Sequence, residues 1–311
     1  MNKVECIIIS STLDYSSDYV CYELEQRGVS FLRINRDRFS DYSVSFDVER
    51  RSLTIVLDNT EYYIDESILK SALFRAPVFI RSNKPYSAEE QLYRSQWSSF
   101  IRNLTLFSSI KWMNHPMWTY QAENKMYQLD IAKKNGLDVP KTVVSNDSSG
   151  LIDNQLYVVK ALDTPLFYEN GQEMFTYSTV VNGVDIKKAS LRNAPVIIQN
   201  CIIDKVDLRV TVVGDELFPA SIMRMGKGIA GDWRRTKKDE LQYEAVTLPK
   251  EIESRIQSLM HELNLSFGGI DLAYADGVYY FIEVNPTGEW GWLVETPGFK
   301  IQNAIVDWMV V

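Results

Sequence analysis

Short apolar runs alternate along the chain with longer stretches of three-to-four spacing, the pattern of an α/β protein. Val4–Ile9 is a β-branched run that reads as a buried parallel strand. Tyr15–Arg27 follows as a helix stopped at Gly28, and Val29–Ile34 as a second strand, which gives a β-α-β opening. Ser43–Val48, Leu53–Leu57 and Tyr62–Ile64 alternate apolar and polar residues between charged turns and predict an antiparallel extension of that sheet. Ala72–Arg81 (ALFRAPVFIR) is apolar with two arginines beside it. Tyr86–Phe107 predicts a long helix whose Trp97, Phe100, Leu104 and Phe107 stripe marks a core face or a homodimer contact.

Met117–Asn135 predicts a single helix stopped by Gly136, with Asn124-Lys125 inside it. Thr142–Ser145, Leu156–Ala161 and Val196–Cys201 read as strands, and Leu162–Val181 as a hairpin turning at Glu169-Asn170-Gly171-Gln172. In the strand ending at Val213, Lys205, Asp207 and Arg209 are two apart and share one face. Pro249–Asn264 is an amphipathic helix placed to cover the sheet next to it. Gly269–Tyr274 and Val278–Val284 are strands joined by Ala275-Asp276-Gly277, a D-G hairpin signal. Phe299–Met309 closes the chain as a helix.

Composition narrows the function. A net charge of −8 argues against general binding to nucleic-acid backbones, which needs a basic footprint. Two histidines and three cysteines (Cys6, Cys21, Cys201) without paired spacing leave almost no material for a zinc site or a Cys/His nucleophilic pair. No glycine-rich dinucleotide fingerprint follows the first strand. No window reaches membrane-spanning length, and a reducing cytoplasm is the expected location.

The chemistry concentrates near the C-terminus. Glu283 and Asn285 share a strand face, and a short hairpin can bring Asp271 to them. Two carboxylates and an amide carbonyl suit Mg²⁺, which shares its other positions with water and nucleotide phosphates. Lys160 lies within an otherwise apolar strand, a costly place for a cation without an anionic partner. The stretch Arg224–Lys238 is a basic island in an acidic chain. It is either a mobile loop for an anionic substrate or a solvated surface loop.

In order, these motifs (N-K at Asn124-Lys125, G-L-x-V-P-x-T at Gly136–Thr142, the strand lysine Lys160, K-x-D-x-R at Lys205–Arg209, and D…E-x-N-P) resemble the ATP-grasp ligases. The resemblance covers about Asn114 to the C-terminus. The β-α-β opening and the R-x-P-V stretch at Arg75 are similar to the front domain of peptide-modifying members, above all the microviridin or graspetide macrocyclases. A glycine-rich flap after Lys160, as in the glutamate-adding and D-alanine ligases, is missing.

The resemblance implies a three-lobed α/β fold with a pre-ATP-grasp domain (1–115), a central subdomain (116–198) and a C-terminal subdomain bearing the metal site (199–311). It implies ATP and Mg²⁺ as cofactors, with the metal on Asp271, Glu283 and Asn285. Lys125 and Lys160 would take the phosphates, and Asp207 would join them in binding nucleotide. Gln199, Asn200, Cys201 and Ile202 would be the hinge that reads adenine through backbone groups. Arg209 would steady the transferring phosphoryl group, with Arg224 and Arg234 on the substrate side. The implied reaction activates an Asp or Glu carboxylate of a ribosomally made precursor peptide (a leader plus an acidic core) and closes an ester or amide. A ligase that appends an amino acid is the alternative, and a silent ATP-binding scaffold comes from another class.

Overall fold

The computed structural model describes residues 2–76, 86–163, 166–169, 172–189 and 191–311. The second arginine of the 72–81 stretch, the Pro77-Val78 part of R-x-P-V, and the Asn170-Gly171 turn fall outside them. The first region contains β1 (Asn2–Lys3), β2 (Cys6–Ser10), α1 (Tyr15–Gln26), β3 (Phe31–Asn35), β4 (Ser43–Asp47), β5 (Ser52–Leu57), β6 (Thr60–Asp65), β7 (Ser71–Phe74), α2 (Ala88–Asn103) and β8 (Lys111–Met113). The order β3-β2-β7-β8 is parallel throughout, so the expected β-α-β opening is present.

The strands after it do not extend that sheet, as their alternation had predicted. They form a second one, β1-β6-β5-β4, because the chain changes sheets between β1 and β2. Val4 still donates to Tyr63, whereas Cys6 already pairs with Phe31 and Ser71. The inner faces of both sheets close on one core with α2. Leu104 and Phe107 are fully buried there, with Trp97 and Phe100 packed against them, so the aromatic stripe is a core face. Trp97 stacks on Phe39 at 4.6 Å.

The next region holds α3 (Pro116–Ala122), α4 (Lys125–Lys134), β9 (Thr142–Ser145), β10 (Leu156–Lys160), β11 (Leu166–Glu169), β12 (Gln172–Phe175), β13 (Thr179–Asn182), α5 (Gly183–Lys188) and β14 (Val196–Asn200). The single helix expected over 117–135 is broken. Asn124 is extended at the cap of α4, and its Nδ2 donates to the carbonyls of Gln121 (2.9 Å) and Tyr120 (3.4 Å), satisfying the end of α3. The break puts Lys125 at the first position of a new helix. A small antiparallel sheet, β13-β10-β14-β9, forms one wall of the cleft, and β11 pairs with β12 as the expected hairpin. Strand β14 runs through the expected boundary at 198/199, and Ile131 and Ala132 of α4 pack into the C-terminal core.

The last region is built on the antiparallel sheet β17-β16-β15-β18-β19: β15 (Val206–Val213), β16 (Glu216–Arg224), β17 (Leu241–Ala245), α6 (Lys250–Glu262), β18 (Phe267–Ala275), β19 (Val278–Asn285), α7 (Trp292–Glu295) and α8 (Ile301–Val310). Leu208, Val210, Ile270 and Leu272 point one way onto Ile256, Leu259 and Met260 of α6. Asp207, Arg209 and Asp271 point the other way, into the cleft. Asp276 and Gly277, at φ 50° and 82°, make the tight turn that joins β18 to β19. A third core, between α1, α8 and Trp290, joins the first region to this sheet. Among the described residues no helix is long and apolar enough to cross a membrane.

Asp14 caps α1 and also ties the regions together. Its carboxylate accepts from Ser10 (2.6 Å), Ser17 (2.7 Å) and Arg75 (3.0 Å), and Arg75 continues to Glu289 (3.1 Å). Burial acts to raise the Asp14 carboxyl, but Arg75 and the hydroxyls outweigh it and hold it at about 2. The folded value lies below the unfolded one, so this stability is present above pH 4 or so and is lost as pH falls through about 2. From about 3.8 to about 2 the shift is worth about 2 kcal/mol at neutral pH. Asp14→Asn is expected to lose roughly that amount at pH 7 and to flatten the acid limb of the stability curve. Urea melts between pH 2 and 7 would check this, and an unchanged acid limb would refute it.

Candidate active site

The bulge in the β18–β19 ladder makes the site possible. Asp271 faces Glu283 in register, but the next residue, Leu272, pairs with Phe281, so β19 carries one residue more than β18 there. Strict alternation would place Phe281 and Val284 on opposite faces. With the bulge both are fully buried in the core, while Ile282, Glu283 and Asn285 line the cleft.

The open end of this hairpin, opposite the Asp276-Gly277 turn, is gripped through its backbone by side chains distant in sequence. Gln128, one turn beyond Lys125 in α4, is 1% exposed. Its Oε1 accepts from Val284 N–H at 3.0 Å and its Nε2 donates to Val284 C=O at 2.8 Å. Asn114, equally buried, accepts from the N–H groups of Ser266 and Phe267 and donates to the carbonyls of Phe267 and Pro286. Arg75 donates to the carbonyl of Gly288 at 3.3 Å. Of the three, the sequence marked only Arg75, as part of R-x-P-V and without this role. A buried glutamine three residues after the N-K lysine is the only local signal.

Within that frame the three oxygen-bearing side chains converge. Asn285 Nδ2 lies 3.3 Å from Asp271 Oδ2 and 3.2 Å from Glu283 Oε1. Lys125 Nζ donates to Glu283 Oε2 at 2.8 Å. Arg209 Nε sits 2.9 Å from Asp271 Oδ1, although not aligned as a hydrogen bond. Burial acts to raise the Glu283 carboxyl, but Lys125 and Lys160 prevail and hold it well below the carboxylate range. Asp271 goes the other way. Burial outweighs Arg209, the Glu283 charge adds to it, and the group is pushed up to about 6.

Lys160, at the end of β10, donates to Gln199 Oε1 at 3.0 Å, and Gln199 Nε2 donates to Thr142 at 2.9 Å. Burial lowers the Lys160 ammonium, with Glu283 pulling against it. Gln199 was expected to act through its backbone, and its side chain also orients this lysine. Asp207 pairs with Lys205, and burial raises its carboxyl in spite of that pair.

These residues enclose a cavity of about 700 Å³ between the central sheet and the C-terminal sheet, a size that suits a nucleotide. Lys125, Lys160, the segment Gln199 to Ile202, Asp207, Arg209, Asp271, Glu283, Asn285 and Arg234 all line it, as do Glu123 and Trp292. Arg224 is not brought there. It is half exposed and paired with Glu240. The basic island is tied to the segment before β13 through Asp232, which accepts from the Ser178 N–H at 3.1 Å and pairs within the island with Arg234 at 2.7 Å. Trp292 lies against Tyr243 at 4.5 Å, whereas Trp290 is a core residue.

The donor set fits Mg²⁺ with a nucleotide. Among the described residues no three His, Cys, Asp and Glu side chains cluster as a metal site. Two carboxylates and one amide do converge, which leaves positions for phosphate oxygens and water. Asn285 would turn its carboxamide over to offer Oδ1, a choice of two nearly isosteric orientations.

Residues 122–309 match the RimK-like ATP-grasp domain. The chain is similar over its whole length to solved structures. The macrocyclase MdnC bound with precursor peptide MdnA from Microcystis aeruginosa MRC is 24% identical (98% of this chain, 99% of that one, TM-score 0.83). A RiPP-associated ATP-grasp ligase from Chryseobacterium gregarium, in complex with ADP and a leader and core peptide, is 25% identical (99% and 96%, TM-score 0.84). The macrocyclase MdnB from Microcystis aeruginosa MRC is 23% identical (98% and 99%, TM-score 0.76). A search of curated proteins gives no match.

Gln128→Leu would leave both backbone groups of Val284 buried without partners. It is expected to cost about 1–3 kcal/mol of stability in denaturant melts. A variant as stable as the parent would show that the grip is replaceable.

Proposed function

The chain belongs to the RimK-like ATP-grasp domain family, and from that premise we propose that it is an ATP-dependent carboxylate ligase that cross-links the side chains of a ribosomally made precursor peptide. The observation that carries the reading is the convergence, in one cavity, of the lysines Lys125 and Lys160, Arg209, the hinge segment and the Asp271/Glu283/Asn285 set. The peptide-bound ligases of similar fold support the substrate class.

In this reading Lys125 and Lys160 hold the phosphates of ATP, and Gln199 aims Lys160. Residues Gln199 to Ile202 take the adenine edge and Asp207 lies on the nucleotide side. Asp271, Glu283 and Asn285 would hold Mg²⁺, which when bound offsets phosphate charge that would repel an incoming carboxylate. An Asp or Glu side-chain oxygen of the peptide attacks the γ-phosphorus, the bond to the β-bridging oxygen breaks, and ADP leaves. Arg209 stabilises the charge on the transferring group with its planar fork. A hydroxyl or amine of the same peptide then attacks the acyl carbon, its proton is lost and phosphate departs. An ester or amide remains. Arg234, held by Asp232 at the cavity wall, faces the substrate side.

The test is the intact mass of a candidate precursor peptide, encoded beside this gene, after incubation with protein, ATP and Mg²⁺. The expected result is loss of one water per cross-link with ADP release, abolished in Glu283→Ala and Asn285→Ala variants that keep the parent's melting temperature. Gain of an amino-acid residue would replace the reading by an appending ligase. Full activity in either variant would refute the metal assignment.

A further inference from the structure

Arg209 does not simply project from its strand into the cavity. Register places Arg209 opposite Asp271 and Thr211 opposite Gly269, and the arginine side chain lies across the Gly269 position. A Cβ built on Gly269 would sit 2.4 Å from Arg209 Nη1, 3.5 Å from Cζ and 3.7 Å from Cδ. The guanidinium thus fills the volume that any side chain at 269 would need. On its other side, a Cβ on Gly288 would approach the same Nη1 to 3.1 Å and Asn285 Cβ to 3.2 Å. Neither glycine lies in the left-handed region, so backbone conformation does not explain the missing side chains. Space does.

We propose that Gly269 and Gly288 form a slot that holds the Arg209 guanidinium at its working position, which makes both of them positioning residues for phosphoryl transfer. The inference rests on the ligase reading above. One wall of the slot is β18. The other is the loop after Asn285, which is closed by the Gly288 N–H to Asn285 C=O bond at 3.0 Å and anchored by Arg75 on the Gly288 carbonyl and Asn114 on the Pro286 carbonyl. The first region of the chain therefore sets the width of a slot in the last. Asp271 Oδ1 lies 2.9 Å from Nε at the inner end of the guanidinium, an ion pair not aligned as a hydrogen bond.

The crowded atom is the far end of a flexible side chain beside an open cavity. Gly269→Ala should therefore fold and push the guanidinium out of the slot. A misplacement of about 1 Å costs up to about 100-fold in rate. The experiment combines Gly269→Ala, Arg209→Lys and the double variant. It reads ADP release with precursor peptide, affinity for a non-hydrolysable ATP analogue with Mg²⁺, melting temperature, and the crystal structure of Gly269→Ala. The expected result is a kcat lower by about tenfold or more, with KM for ATP and melting temperature near those of the parent and the guanidinium displaced. In the Arg209→Lys background the alanine should cost less than about twofold, the non-additivity of two residues acting as one.

Parental kcat, an undisplaced guanidinium, or equal losses in both backgrounds would overturn the slot. Should Gly269→Ala fail to fold, Gly288→Ala, the milder clash, carries the same comparison. Absence of ADP release from the parent would refute the ligase reading alone, and the crystal structure would still decide the slot.

Discussion

Two carboxylates desolvated side by side are the constraint on which the rest of this structure depends. Asp271 and Glu283 face each other across one strand pair and share the amide of Asn285. In a low-dielectric site, like charges so placed cannot both stay ionised without compensation. The protein supplies it unevenly. Glu283 has Lys125 in contact and Lys160 near, whereas Asp271 has the imperfectly aligned Arg209 and, farther off, Arg234. The two carboxyls diverge accordingly, one held down and the other pushed up. The cations that balance these carboxyls, Lys125, Lys160 and Arg209, are the same side chains that line the cavity, so charge balance and the character of the cavity draw on one set of groups.

Such a cluster needs a rigid support, and the support comes from outside its own sheet. Gln128, Asn114 and Arg75 each hold backbone of β18, β19 or the loop beyond, and each is buried with its hydrogen bonds made. Backbone grips of this kind leave the cavity-facing side chains unencumbered. The bulge serves the same end. It lets one short strand feed Phe281 and Val284 to the core while turning Glu283 and Asn285 outward. The first region of the chain is thus more than an appended domain, since Arg75 and Asn114 reach from it to the loop after Asn285 at the cavity edge.

Much of this was legible before the tertiary structure. The D-G turn, the two-residue spacing of Glu283 and Asn285, and the shared face of Asp207 and Arg209 are consequences of strand geometry, which local sequence determines. So are the β-α-β opening and the core stripe of α2. Lys205, expected on the face of Asp207 and Arg209, precedes β15 and meets Asp207 through its side chain. Lys160 stood out because a cation in an apolar strand demands a partner, and the structure provides Gln199 beside it with Glu283 in range.

What the local pattern did not carry was decided by contacts between distant segments. Alternation in residues 43–65 is the same whether the strands extend one sheet or build another, and the switch at Val4 made the choice. Helical spacing runs unbroken through Asn124, yet its side chain turns back to end α3 and re-aims Lys125 at Glu283. A basic island reads as one unit, but its arginines part, Arg234 to the cavity and Arg224 to Glu240 on the surface. Periodicity reports the direction in which a side chain leaves its own element. Which partner waits there, and whether a glycine such as Gly269 is empty for want of space, depends on chain that lies far away in sequence.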